Sequence, residues 1–349
     1  MQLRYGMNPH QRPATLVAVD PEHQPFRFRH GQPSYLNVLD AAAGWQLVRE
    51  AAAALGRPVA ASVKHVSPAG AATAGPLDAV MAGTYRLDPA ATGPLTSAYV
   101  RARDADPKSS YGDFVAVSEP VDAELADLLR RVVADGIVAP GFEPGVVATL
   151  AAKKNGGFLV VEADPGFRPP ATEVREVYGL RITQPRDEAP LTGFPDDLVL
   201  GLAAVRYTQS NSVAYVRDGM TLGIGAGQQS RVDCTRLAGA KADTWWLRRH
   251  PAAQRAGTAT RVQDAISGQL RAVEALTDGE RAEWLRALDR VTFVSDGALP
   301  FPDNVEEAAR HGVRHLAEPG GSLRSADVAD ECRQRGIALT RTGIRLFRH

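Results

Sequence analysis

Lys64 and His65 stand side by side where a short apolar run, residues 59–63 (VAASV), gives way to Ser67, Pro68 and Gly70. A neighbouring ammonium favours the neutral form of an imidazole. A neutral ring can accept a proton, and the ammonium can stabilise negative charge that develops beside it. The pair therefore reads as a candidate general base with an electrostatic helper. The same two residues also fit a plainer role, a strand end whose lysine reaches water beside a solvated histidine.

The elements that must position the pair come next. Residues 59–63 read as a strand covered on both faces. Pro68 cannot continue a central strand and Gly70 permits a tight backbone, so residues 69–74 are expected to open a helix. Strand, sharp turn, helix is where α/β proteins hold functional side chains. Amphipathic helices are predicted over 38–55, 76–87, 122–135, 146–154, 196–207, 231–246, 305–311 and 325–335. Residues 109–117 read as a glycine-containing turn entering a strand, and strands are predicted over 137–139, 157–161, 292–295 and 337–340. Residues 213–217 and 220–224 form a hairpin turning at Asp218-Gly219. Residues 164–194, rich in Pro, Arg, Glu and Thr, read as a crossover between halves. The alternation predicts an α/β chain on a largely parallel, helix-covered sheet. A duplication is conceivable but is not visible in residue identities.

Three other segments offer polar groups. GIGAGQQSR, residues 223–231, has glycines that let a ligand approach the backbone, and Arg231 could meet a phosphate or carboxylate. It lacks the third glycine of the dinucleotide fingerprint and the lysine of a phosphate loop, so a plain glycine-rich turn fits equally. TQSNS, residues 208–212, fits either a helix cap or a ligand contact through the Asn211 amide. The chain end, GIRLFRH, is strand-like in pattern, although chain ends commonly fray.

The whole chain bounds these readings. Its 349 residues suffice for two domains or one large one, and 40 basic residues balance 40 acidic ones. That balance gives no bulk attraction to nucleic acid or membrane. Cys234 and Cys332 are the only cysteines, too few for a zinc site or a disulfide framework. No run is long enough to span a bilayer and the N-terminus is no signal peptide, so a cytoplasmic location is expected.

Taken together, LRYGMNPHQ, SVKHVSPAGAA, ARDADPKSSYGDFVAVS, VRYTQSNSVAY, GIGAGQQSRVDCTRLAGAKADTWWLRRHP and the terminal RLF-x-H occur in the order found in AICAR formyltransferases. The resemblance runs the length of the chain. It implies transfer of a formyl group from 10-formyltetrahydrofolate to the 5-amino group of AICAR. It implies two cytidine-deaminase-like α/β/α units without zinc, over 1–180 and 181–349, and a homodimer with active sites at the interface. The family's IMP cyclohydrolase domain is expected to be absent, and a monovalent cation is a further expectation. By motif, His65 is the proton acceptor, Lys64 the transition-state stabiliser, and Asn211 orients acceptor and base. Arg4, Tyr5, Gly112, Asp135 and Arg231 hold the nucleotide together with Arg345, Phe347 and His349. Val232, Ala298, Asp303 and Ser322 meet the folate.

The chain departs from the family at the folate side. DGALPFPDN carries Ala298 and Leu299 where adjacent aromatic residues are usual, and Pro302 where a basic residue is usual. Arg348 stands where a second terminal histidine is common. Loss of an aromatic wall removes stacking area, so weaker or different folate binding is expected. Two alternatives therefore stand beside the leading reading. One is a paralogue formylating an AICAR-like nucleotide in a specialised pathway. The other is a non-catalytic nucleotide-binding protein, which would have no need of a base.

Overall fold

The computed structural model describes residues 1–349. The first half runs β1 (Phe26–His30), α1 (Tyr35–Leu55), β2 (Val59–Lys64), β3 (Ser67–Thr73), α2 (Ala79–Tyr85), α3 (Pro94–Ala105), β4 (Asp113–Val117), α4 (Ala123–Arg131), β5 (Ala134–Ala139), α5 (Val146–Ala151) and β6 (Leu159–Ala163). A separate two-stranded ribbon follows, β7 (Thr172–Val177) and β8 (Leu180–Pro185). The second half runs α6 (Asp196–Arg206), β9 (Val213–Arg217), β10 (Met220–Gly225), α7 (Arg231–Leu247), α8 (Pro251–Ala256), α9 (Val262–Glu274), α10 (Asp278–Leu285), β11 (Val291–Ser295), α11 (Asp303–Ala309), β12 (Val313–Glu318), α12 (Ser325–Gln334) and β13 (Ala338–Arg341).

Eleven strands form one sheet in the order β1-β6-β5-β4-β2-β3-β10-β9-β11-β12-β13. The sheet is mixed, which corrects the expectation of a largely parallel one. Six of its ten neighbouring pairs are antiparallel, because each half contains a hairpin at its centre. Residues 69–73 form strand rather than the helix expected over 69–74: β3 turns straight back on β2. Pro68 is tolerated in this strand at a register shift, where one ladder position is lost. The predicted helix over 122–135 ends at Arg131, so Asp135 lies on β5. The chain end after Arg341 adds no strand.

The two halves repeat one topology. Strands β3-β2-β4-β5-β6 and β10-β9-β11-β12-β13 lie in matching order, with the same senses of pairing, and the halves join through β3 and β10. Helices α1 and α6 cover one face, with Leu47, Val48, Leu200 and Leu202 fully buried there. Helices α3 and α7 cover the other. The close packing depends on glycines at matching places. A Cβ on Gly70 would overlap Ala102 O of α3, and one on Gly223 would overlap Ala238 O of α7. Gly44 of α1 packs on Val63 and Ala116, and Gly201 of α6 packs on Val216 and Val294.

Candidate active site at one edge of the sheet

The topology brings the sequence-predicted residues to one edge. Lys64 ends β2, Gly112 precedes β4 and Asp135 opens β5. Because β3 and β10 are antiparallel neighbours, the start of β3 lies beside the end of β10, and so beside the start of β9 and the end of β11. Asn211 precedes β9 and Asp296 follows β11 at this edge. Loops after β11, β12 and β13 bring Ala298, Asp303, Ser322 and the chain end to the same side. A direct link between the halves is Gln209 N–H, which donates to Ser67 Oγ at 3.4 Å.

Lys64 and His65 sit on a two-residue hairpin turn, since Lys64 pairs with Ser67. Both turn residues have left-handed backbone, His65 at φ 52° and Val66 at φ 65°. Such a turn matches the twist of the strands, but it is costly for a β-branched residue. Two contacts hold it. Lys64 Nζ donates to Tyr111 O at 2.8 Å and to Gly112 O at 2.9 Å. Val66 N–H donates to Asp40 Oδ1 at 2.7 Å, from α1 beneath. His65 itself is exposed. Asp40 is 6% exposed, and burial pushes its carboxyl up to about 6. The Val66 N–H and the charges of His65 and Lys64 act against that rise, while Asp135 adds to it.

Arg4 and Tyr5 reach the start of α1. Arg4 Nη2 donates to Asn37 Oδ1 at 2.9 Å, and the guanidinium lies 5.6 Å from the Tyr5 ring centre. Asn37 also completes the Ser34 capping box, so the arginine is tied to the helix that carries Asp40. Asp135 pairs with Lys154 at 2.5 Å.

Across the edge, Asn211 is held on every side. Its Nδ2 donates to Gln228 O at 2.9 Å and Gln229 O at 3.0 Å, and its Oδ1 accepts from Arg231 Nη2 at 2.5 Å. Arg231 is 7% exposed and pairs with Asp296, which is fully buried. Asp296 Oδ2 also accepts from Ser210 Oγ at 2.6 Å, Ser212 N–H at 2.9 Å and Ser212 Oγ at 3.0 Å. The chain end docks on this cluster: Leu346 N–H donates to Asp296 O, and Arg348 and Ser210 are joined by two hydrogen bonds. The Arg345 guanidinium lies 4.9 Å from the Phe347 ring centre, and that ring stands edge-on to His349 at 6.1 Å.

Of the residues expected to meet the folate, Val232 follows the first residue of α7 and Asp303 opens α11. Thr235 Oγ1 donates to Asn304 Oδ1 at 3.1 Å and fastens those two helices. Leu299 is 1% exposed and belongs to the core, whereas Ala298 is partly exposed. Glu318 joins the two loops of this side, accepting Leu299 N–H at 3.3 Å and Gly320 N–H at 2.9 Å. Ser322 bonds Ser325.

Sequence reasoning missed Asp40, Asp296 and Glu318. Asp40 had a signal, since Asp40 and Gly44 on α1 recur at the same spacing as Asp197 and Gly201 on α6. Asp296 and Glu318 are acidic residues at the ends of apolar strands, and nothing in their spacing sets them apart. No group of three or more His, Cys, Asp or Glu is arranged to hold a metal ion. No helix is long and apolar enough to cross a membrane.

Residues 1–241 match the family model described as AICARFT/IMPCHase bienzyme. The chain is similar to the bifunctional purine biosynthesis protein PurH of Ruegeria sp. (strain TM1040), 32% identical over 99% of this chain and 59% of that protein. It is similar to the protein of the same name from Cereibacter sphaeroides (strain ATCC 17025), 31% identical over 99% of this chain and 59% of that one. The chain thus spans 59% of the length of these relatives. With two thirds of its residues under the family model, the chain belongs to the AICARFT/IMPCHase bienzyme family.

Proposed function

We propose that this chain transfers the formyl group of 10-formyltetrahydrofolate to the 5-amino group of AICAR, giving FAICAR in purine synthesis. The observation that carries the reading is the Lys64–His65 turn. A turn that uses a histidine and a valine at positive φ is costly unless its side chains are needed where they stand.

The donors and acceptors give the roles. An ammonium has three N–H donors, and Lys64 spends two on Tyr111 O and Gly112 O. The third remains for the oxyanion that forms when the amine adds to the formyl carbon. Both N–H groups of Asn211 are engaged, and its Oδ1 keeps one lone pair. That lone pair accepts from the amine of AICAR and aims its nitrogen. The amine is a weak nucleophile, because its electrons are conjugated with the ring. Orientation and proton removal therefore matter more than binding alone. The new C–N bond forms, His65 takes the amine proton, and the oxyanion collapses. The bond from carbon to the folate nitrogen then breaks, and that nitrogen leaves with the proton that His65 took from the amine. Arg4 and Arg345 meet the phosphate. Arg231, committed to Asp296, holds Asn211 in place.

The repeated topology supports two cytidine-deaminase-like units over 1–180 and 181–349. A homodimer is supported by the open sheet edge and by the β7–β8 ribbon, on which Val174, Leu180 and Ile182 are exposed. Two strands alone are barely stable in water. A monovalent cation would fit the buried oxygens of Ser210, Ser212 and Asp296, a hard, all-oxygen set. A cytoplasmic location accords with purine synthesis.

The test is incubation of the purified protein with AICAR and 10-formyltetrahydrofolate, following tetrahydrofolate release, with His65→Ala as control. Turnover that the substitution abolishes is the expected result. Ala298 and Leu299 in place of an aromatic wall favour a second reading, a paralogue acting on a related nucleotide or formyl donor. AICAR binding without turnover would select it. A non-catalytic binding protein would show neither turnover nor any effect of His65→Ala on nucleotide affinity.

A further inference from the structure

The repeat supplies an internal comparison for one buried carboxylate. Asp40 lies four residues before Gly44, as Asp197 lies four residues before Gly201. The two glycines pack on matching strands, so the two aspartates hold equivalent places on α1 and α6. Each caps the hairpin turn of its own half. Asp197 spends both oxygens on its turn, Oδ2 on Asp218 N–H at 3.0 Å and Oδ1 on Gly219 N–H at 2.6 Å. Asp40 spends only Oδ1, on Val66 N–H. Its Oδ2 has no hydrogen-bond partner in the chain, and the residue it caps is the one next to His65.

A turn cap needs no free carboxylate oxygen. In the second half, where the turn is Asp218-Gly219, the aspartate only caps. In the first half the equivalent residue leaves one oxygen beside a lysine and a histidine. We propose that Asp40 is a positioning residue of the formyl-transfer site, locking the His65–Val66 turn through Oδ1 and supporting the proton that His65 acquires through the charge on Oδ2. The proposal rests on His65 being the base. Lys64 precedes His65 at the end of β2, Asp40 of α1 bonds the residue that follows it, and Asp135 on β5 is already paired with Lys154. The charges of Lys64 and Asp40 have opposite signs, and Asp40 is the anion bonded to the turn itself.

The experiment compares wild type, Asp40→Asn, Asp40→Ala and Asp197→Asn. The first readout is the imidazole resonance of His65, assigned by its loss in His65→Gln and followed against pH. Asp40→Asn keeps an acceptor for Val66 N–H and removes the charge. It is expected to move the His65 titration to lower pH, while Asp197→Asn leaves it unmoved. The second readout is exchange of the Val66 amide, protected in Asp40→Asn and fast in Asp40→Ala. The third is the acid limb of the rate profile for formyl transfer, which follows the resonance. An unmoved His65 titration in Asp40→Asn overturns the proposal and leaves Asp40 a cap like Asp197. Failure of the base assignment is a separate result, full turnover by His65→Ala.

Discussion

His65 and Asp218 occupy the same place in two copies of one turn. Lys64 pairs with Ser67 and Arg217 with Met220, leaving two residues in each loop, all four of them at positive φ. In the second half these are Asp218 and Gly219, the residues such a turn prefers. In the first they are His65 and Val66, which it tolerates poorly. The strain falls on the copy that carries the candidate base.

Val66→Gly tests that account. A left-handed backbone costs an L-residue about 1–2 kcal/mol, and glycine escapes it while losing some chain entropy on folding. The variant is expected to be more stable by about 0.5–1 kcal/mol in urea unfolding, with slower formyl transfer because the turn is freer. A less stable variant would show that Val66 packing outweighs the backbone strain.

Lys64→Ala removes the donor that ties the Tyr111–Gly112 loop to the turn and, in the proposed mechanism, serves the oxyanion. Loss of one such donor typically lowers kcat by about 100- to 1,000-fold. The expected outcome is a loss of that size in kcat with a smaller change in the nucleotide KM. A change confined to KM would make Lys64 a binding residue only.

Much of this was legible in the sequence, and the errors share a cause. The Asp218-Gly219 hairpin was readable because its residues suit the turn. The equivalent His65–Val66 hairpin was not, because function fills it with residues that oppose it, and Pro68 and Gly70 then suggested a helix. Gly70 serves a different purpose, close approach of α3 to β3, as Gly223 does for α7. The repeat was hidden for the same reason. Its surviving identities, Asp40 with Asp197, Gly44 with Gly201 and Gly70 with Gly223, are tied to packing and turn capping rather than to a local pattern. Lys64, His65 and Asn211 stand out as candidates by local chemistry. Asp40 and Asp296 act across the fold: the signal for Asp40 lies only in its repeat at Asp197, and Asp296 has none.

Asp296→Ala removes the buried partner of Arg231 and the acceptor shared by Ser210 and Ser212. Breaking a buried pair by deleting one member costs about 3–5 kcal/mol, because the remaining charge is left uncompensated. A loss of that order in urea unfolding is expected, with release of the chain end to proteolysis. A loss under about 1 kcal/mol would mean that water reaches Arg231 in solution.

Ala298 and Leu299 differ in what they can restore. Leu299 is buried, so Leu299→Phe overpacks the core and costs about 1–3 kcal/mol. Ala298 is partly exposed, and Ala298→Phe adds a ring beside the folate residues. A stacking ring is worth about 1 kcal/mol, so the KM for 10-formyltetrahydrofolate is expected to fall by about fivefold to tenfold. An unchanged KM would place the folate elsewhere along the edge.

Asp40→Asn should also reveal a stability cost of the site. Burial raises the Asp40 carboxyl to about 6, against about 3.9 in an unfolded chain. Between those two pH values the folded state binds a proton that the unfolded state has released. Stability therefore falls as pH rises through that window and stays lower above it. A difference of about two pH units corresponds to an upper bound of about 3 kcal/mol. Asparagine keeps the acceptor for Val66 N–H and carries no charge to bury. The variant is expected to be more stable than wild type by about 1–3 kcal/mol at about pH 8, and equal to it below about pH 4. Urea unfolding at both pH values checks this. A variant less stable at the higher pH would mean that Lys64 and His65 compensate the carboxylate by more than its burial costs. A gain in stability with a loss of activity would identify Asp40 as a charge kept for the reaction at the expense of the fold.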